Sequence, residues 1–380
     1  MTPTPFLRDK AAIAGIGQTA FAKVVPGTEK ELACRAVLAA LDDAGLTPDD
    51  VDGLCSYTME STEEMELART IGLGDIHFFS QVGYGGGAGC ATIGHAAMAV
   101  ATGQANVVVA WRSRKRGGGA STRPWATRVG RLPAPLQFTR PFGLLRPVDE
   151  IAMLTRRYMH EYGATREHLA AVAVNCRAHA NRNPAALMHD KPMTVDDYMA
   201  ARWISEPLCL FDNCLETDGA LAAVIVSAER ARDLPQPPVL VHAFGQGIPR
   251  QHQTMTNYFN DDPLMGPSYA CAEVLWRQAD VKAADVDVAQ LYDAFSPLVP
   301  LSWEGYGFCR RGEGKDFTGV PYNTSGGGLS EAYVHGFNLI TETVKQLRGT
   351  STSQVDGAEV GLVTSGEGVP TSALLMTVAR

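Results

Sequence analysis

The sequence predicts an α/β fold of two similar halves, and three observations carry that reading. Residues 11–57 read as strand, helix, strand, the βαβ unit from which layered α/β domains are built. A proline-rich stretch, DLPQPPVL at 233–240, is followed by a second run of the same scheme. Each half also closes on a similar apolar ending, GALAAVIVSAERAR at 219–232 and TSALLMTVAR at 371–380, which points to an internal duplication.

In the first half, residues 1–232, the apolar run Ala11–Ile16 is a strand, Glu29–Ala44 has helical periodicity, and Val51–Tyr57 is the next strand. A helix is expected at Glu63–Ile71, followed by the short apolar run Ile76–Phe79. The glycine-rich GYGGGAGC at 83–90 leads into a small-residue helix, Cys90–Thr102. Next, ANVVVAW at 105–111 reads as a strand buried on both faces.

Residues from 112 to about 215 change character, with SRKRGGGAST, several prolines and helical patches at 148–162, 165–182 and 195–202. They are expected to form a long excursion inserted into the α/β core, and ordered loops of that length usually carry function. The basic cluster Arg112, Arg114, Lys115 and Arg116 either meets the phosphates of an acyl carrier such as coenzyme A or lies in a solvated loop. Strand character returns at Gly219–Ser227.

The second half, residues 233–380, has strands at Val239–Phe244 and Val286–Tyr292, with a helix at Tyr269–Gln278 between them. A helix near Pro300–Gly305, a glycine turn SGGG at 325–328 and a helix at His335–Leu347 follow. Strands at Glu359–Thr364 and Ala373–Val378 complete it. The stripe Tyr258, Phe259 and Met265 beside Asp261 and Asp262 is either a substrate or partner surface or ordinary loop packing.

Composition narrows the function. The 380 residues are 45% hydrophobic, enough for a sizeable core, and carry a formal net charge of -8. An acidic chain argues against nucleic acid as a partner, because binding phosphate needs a basic surface that displaces counterions. No stretch reaches about 18 uninterrupted apolar residues and the N-terminus lacks a signal-peptide pattern, so a cytoplasmic protein without membrane contact is expected. Eight cysteines without a CxxC pair read as reduced thiols. Nine dispersed histidines without paired spacing argue against a metal site.

Four segments together resemble thiolases, especially the sterol carrier protein X type: YGGGAG at 84–89, LYDAFSP at 291–297, NTSGGGLSEAYVHG at 323–336 and GLVTSGEG at 361–368. The resemblance implies two pseudo-repeated βαβαβαββ halves in a layered αβαβα arrangement with an inserted loop domain, and at least a homodimer. It also locates four departures. The nucleophilic cysteine's position falls on Gly86, and Cys90 lies about 5 Å of helix further on, so it reads as a packed core thiol. The two catalytic histidine positions resemble Tyr292 and Tyr333, and the second catalytic cysteine aligns with Gly366.

A scaffold that stabilises an acyl-CoA enolate but lacks the acyl-accepting cysteine suits aldol chemistry. The combination resembles actinobacterial lipid-transfer-protein aldolases. That resemblance implies retro-aldol cleavage of a 17-hydroxy steroid CoA ester to a 17-ketosteroid and propionyl-CoA. It further implies no cofactor beyond the substrate's own CoA, and complex formation with an OB-fold, zinc-ribbon domain of a side-chain hydratase. Tyr292 and Tyr333 are the expected proton-transfer pair, Tyr292 taking the hydroxyl proton and Tyr333 serving the enolate. A phenol with a depressed pKa would favour catalysis. Replacing the cysteine by Gly86 is expected to empty space for a bulkier acyl group, and Gly86, Ser325, Gly326, Gly327 and Gly366 are expected to line the substrate. The amides of Ser325–Gly328 form either an oxyanion site or a structural turn. Asp293 either orients the neighbouring loop or caps the next helix, and His335 is either a third proton carrier or a polar helix-start residue. The competing reading is a thiolase-like protein that has lost catalysis and binds lipid or acyl-CoA.

Overall fold

The computed structural model describes residues 6–115, 137–252, 255 and 257–379, so Arg116 of the basic cluster lies outside the described residues. Strands β1 (Ala11–Gln18), β2 (Gly53–Tyr57), β3 (Phe78–Val82) and β4 (Val107–Arg114) alternate with helices α1 (Glu29–Ala44), α2 (Glu64–Ile71) and α3 (Gly89–Ala101). Helices α4 (Pro147–Tyr162), α5 (Arg166–Arg182) and α6 (Val195–Met199) and a small hairpin, β5 (Trp203–Ser205) with β6 (Leu208–Cys209), separate β4 from β7 (Gly219–Ser227). After the short α7 (Ala228–Ala231) come β8 (Val239–Gly247), α8 (Pro267–Gln278), β9 (Val288–Gln290), α9 (Leu298–Gly305), α10 (Phe337–Leu347), β10 (Val360–Ser365) and β11 (Thr371–Val378).

Nine strands run in the order β3-β2-β4-β7-β1-β8-β11-β10-β9. The seam in the middle is thin: β1 meets β8 through Ala12–Leu240 and Ile13–Val239 alone. On either side the same arrangement repeats. Outward from β1 lie β7, β4 and β2, joined antiparallel, antiparallel and parallel. Outward from β8 lie β11, β10 and β9, joined in the same three senses.

The helices form three layers around these strands. Helix α1 packs outside β1 and β7, α8 packs outside β8 and β11, and α3 and α10 each touch strands of both groups. The apolar residues divide accordingly. Leu32, Leu41, Val109 and Trp111 form one outer cluster, Leu275, Trp303 and Leu362 the other, and Ile93, Val108, Phe337 and Val363 the central one. Alternation along β4 assigns the faces, since successive side chains of a strand point to opposite sides. Val107, Val109 and Trp111 face outward while Val108 and Ala110 face the central layer, and Arg112 continues that inner series.

The structure departs from the sequence reading at three boundaries that matter. Strand β4 runs on to Arg114 because its pairing with β7 continues to Arg114–Gly219, so Arg112 is a fully buried strand residue and the solvated-loop reading fails for it. Strand β9 stops at Gln290 rather than Tyr292, since the Leu291 and Tyr292 amides donate to the side chains of Asn323 and Thr364 instead of a neighbouring strand. Helix α10 starts at Phe337 because His335 (φ 51°) and Gly336 (φ 78°) are left-handed.

Candidate active site

The central layer brings three of the four glycine- or tyrosine-bearing segments to one point. Tyr292 leaves the end of β9 and Tyr333 precedes α10, and their hydroxyl oxygens lie 2.5 Å apart with ring centroids at 6.1 Å. Both rings are buried, at 5% and 9% exposure. Two buried threonines hold the backbone on which they sit: the Tyr292 amide donates to Thr364 Oγ1 and the Tyr333 amide to Thr217 Oγ1, each at 2.9 Å.

Gly86 stands over this pair in the turn before α3. A side chain there would collide with the Tyr292 hydroxyl, which occupies the place where a Cβ of residue 86 would be. The expected empty volume therefore does not exist. Tyrosine at 292 and glycine at 86 fit one another, and the phenol oxygen stands where the nucleophile's side chain was expected. Gly366 is closed in a different way: its φ is +76°, and a Cβ would lie 2.8 Å from Gly87 Cα. A cysteine at that position meets backbone, which cannot give way.

Most of the remaining expected residues make structural contacts. Cys90 is fully buried, its thiol directed at Val363 O at 3.4 Å and pushed up in pKa by burial, so it is a core thiol. Asp293 accepts from the amides of Gly328 at 2.7 Å and Leu329 at 3.2 Å, and burial raises its carboxyl to about 6 against those bonds. It orients the glycine loop and does not cap the next helix, α9, whose first residue follows Pro297 without a side-chain cap. The Gly326 amide donates to Asn323 O at 2.9 Å and the Gly328 amide to Asp293, so at these two positions the turn itself uses the donors. Ser325 Oγ donates to Glu331 at 2.5 Å, and Gly327 packs against the Asp293 carboxyl.

His335 joins the pair from the other side. Its ring makes an edge contact with Tyr333 at 5.5 Å, and its Nδ1 accepts from Arg112 Nε at 3.3 Å. Arg112 in turn donates to Glu60 Oε2 and to Met59 O, both at 3.0 Å, and its guanidinium lies 5.1 Å from the Tyr57 ring centroid. The Glu60 carboxylate also accepts from the Ser113 amide at 2.7 Å and from the Ser113 hydroxyl. This fully buried ion pair was missed at the sequence level, although the period-two alternation Val108, Ala110, Arg112 marks the arginine as inward-facing.

The electrostatics favour a neutral Tyr292 phenol. Burial, then the proximity of Tyr333, pushes the Tyr292 phenol well above its usual value, so the depressed phenol that would have favoured catalysis over simple binding is not found at Tyr292. A resting phenolate is therefore not what this site stores; it stores a short hydrogen bond between two phenols along which a proton can pass. Among the described residues no group of His, Cys, Asp and Glu side chains is arranged to hold a metal ion.

Comparison with known proteins settles the family. The description "Thiolase, N-terminal domain" matches residues 11–229, and "Thiolase C-terminal domain-like" matches 251–379. The chain belongs to the thiolase family. Within it, the chain is 47% identical to a 17-hydroxy-3-oxo-4-pregnene-20-carboxyl-CoA lyase of Mycobacterium tuberculosis, over 97% of this chain and 100% of that one. It is equally 47% identical to a steroid side-chain-cleaving aldolase of Thermomonospora curvata, over 97% and 98%. A solved thiolase-fold structure described as an Ltp2-ChsH2(DUF35) aldolase superposes with a TM-score of 0.94 at 46% identity, covering 98% of this chain and 99% of that one. Human mitochondrial 3-ketoacyl-CoA thiolase, with a TM-score of 0.72 at 14% identity, shares the fold alone.

Proposed function

We propose that the protein is an aldolase that cleaves a 17-hydroxy steroid CoA ester, releasing a 17-ketosteroid and propionyl-CoA, and that it needs no cofactor beyond the CoA of its substrate. The observation that carries the reading is the contact between the Tyr292 and Tyr333 hydroxyls at 2.5 Å, in the space that a nucleophile at residue 86 would need. A retro-aldol reaction requires no stored base. The β-hydroxyl proton leaves its oxygen, the carbonyl forms, the Cα–Cβ bond breaks, and the resulting enolate takes one proton at Cα. The net change moves a single proton from oxygen to carbon. Two hydrogen-bonded neutral phenols can do this as a relay, Tyr292 receiving the hydroxyl proton as its own passes to Tyr333 and onward to the enolate. The near identity in length and the 47% identity to two steroid-cleaving relatives support the same substrate class.

Two assembly features belong to the same proposal. The OB-fold, zinc-ribbon domain of a side-chain hydratase is the expected heteromeric partner. Among the described residues the outermost strand, β3, pairs on one side only, and it exposes Phe79 at 73%, which suits a second copy of the chain and hence a homodimer. Eight free thiols suit a cytoplasmic location, and no helix among the described residues is long and apolar enough to cross a membrane. The test is to incubate the chain, alone and with the partner domain, with a 17-hydroxy steroid bearing a three-carbon CoA-ester side chain and no free CoA. Equal amounts of ketosteroid and propionyl-CoA are expected. Product that appears only when free CoA is added contradicts the proposal, and bound but uncleaved substrate in both preparations makes the protein a binding module.

A further inference from the structure

The buried ion pair behind the tyrosines has no role in the relay as written, yet it touches His335 directly. A guanidinium has donors only, so the ring nitrogen that receives Arg112 Nε at 3.3 Å must present its lone pair. The proton of the neutral imidazole is then on Nε2. Arg112 itself has little freedom to do otherwise. It is fully buried on the inner face of β4, and Glu60 and the Met59 carbonyl fix its Nη1 at 3.0 Å each. Glu60 in turn is held by both the amide and the hydroxyl of Ser113. The ring is further confined by Tyr57 at 6.2 Å and Tyr333 at 5.5 Å between centroids, and by a left-handed backbone.

We infer that Arg112, backed by Glu60, is a positioning residue that locks His335 as a neutral donor through Nε2–H, so that His335 serves the reaction as a hydrogen-bond donor to an oxygen gaining charge and never as the proton carrier. A third proton carrier would need to release and regain a ring proton, and with Nδ1 engaged by a cation's donor the ring has no second site at which to take one up. A fixed neutral donor instead stabilises developing negative charge without reorganising during the step. The inference rests on the aldolase reading for its catalytic consequence, but the tautomer itself can be measured independently of any activity.

The experiment has two arms. In the first, nitrogen NMR of the ring-labelled protein reads the tautomer of His335, assigned by its disappearance in His335→Gln. A pure Nε2–H signal is expected, changing to a tautomer mixture or an imidazolium in the double variant Arg112→Met/Glu60→Gln, which removes both buried charges together. An Nδ1–H ring in the native protein, or an unchanged ring in the folded double variant, overturns the inference. In the second, steady-state cleavage is compared for His335→Gln and His335→Ala, which place similar strain on the left-handed backbone. Glutamine keeps a neutral donor near the Nε2 position but cannot carry a proton. His335→Gln should retain kcat within about tenfold, while His335→Ala should lose about 100-fold or more, the usual cost of deleting an oxyanion donor. Equal loss in both variants overturns the donor role. Should the double variant not fold, the native tautomer and the Gln-against-Ala comparison still decide, and a native protein without cleavage activity sinks the aldolase reading while the tautomer measurement stands.

Discussion

At the scale of single residues, the site is defined by an exchange of volume. Glycine at 86 leaves room for one phenol oxygen and no more, so Gly86→Ala should displace Tyr292 and reduce cleavage by about 100-fold or more while the protein remains folded. A cleavage rate within a few-fold of native in that variant would show that Tyr292 does not need its observed position. The pattern of residues made part of this legible beforehand. A histidine-to-tyrosine change at two aligned positions singled out Tyr292 and Tyr333, and the structure brings their hydroxyls together. What the sequence could not convey was that the tyrosine fills the glycine's vacancy, because that requires knowing that the β9 end and the turn before α3 meet in the central layer. The raised pKa of Tyr292 was equally hidden, since it follows from burial in three dimensions.

At the scale of elements, the glycine loop 325–331 is held by two buried carboxyl groups. Asp293 takes two of its amides, and Glu331 ties Ser325 and Asn338 together. Replacing Asp293 by Asn keeps the shape but substitutes one acceptor by a donor facing an N–H group. The loss should be about 1–3 kcal/mol in denaturant unfolding, the penalty for an unsatisfied buried group, with Tyr333 cleavage geometry disturbed in step. Unchanged stability would mean that the loop is maintained by its glycines alone. Most helices and strands were readable from periodicity, and errors concentrated where side chains replace backbone partners. The end of β9 at Gln290 is of this kind, whereas β4 continues to Arg114 through its backbone pairing with β7. Grouping Arg112 with a basic loop followed composition where alternation along the strand was the better guide, and it concealed the Arg112–Glu60 pair. The expected stripe of Tyr258, Phe259 and Met265 also divides: Tyr258 reaches the Glu150 carbonyl at 3.5 Å, while Phe259 and Met265 are exposed.

At the scale of the whole molecule, the duplicated arrangement about the β1–β8 seam encloses a central layer, and burial in the molecule raises carboxyl groups as well as phenols. Burial lifts Glu331 and Glu150 to about 7 and Glu367 to about 8 from an ordinary value of 4.5. A carboxyl whose pKa is higher folded than unfolded stabilises the fold when protonated, and that stability is lost as pH rises through the folded pKa. Below about pH 6.5 the half-buried histidines His179 and His252, both lowered by desolvation, act in the opposite sense. The thermal midpoint should therefore fall between pH 6.5 and 8.5, and Glu367→Gln should flatten the upper part of that decline. A midpoint that rises over this window would contradict the raised pKa of these buried carboxyls.

The central claim, that two neutral phenols move the proton of a retro-aldol cleavage, is tested most directly by Tyr292→Phe and Tyr333→Phe with the 17-hydroxy steroid CoA ester, following ketosteroid release alongside substrate binding and thermal midpoint. Each variant should bind substrate and remain folded yet lose about 100- to 10,000-fold in kcat, the range for removing a positioned proton donor or acceptor. Cleavage within about threefold of native in either folded variant would contradict the account.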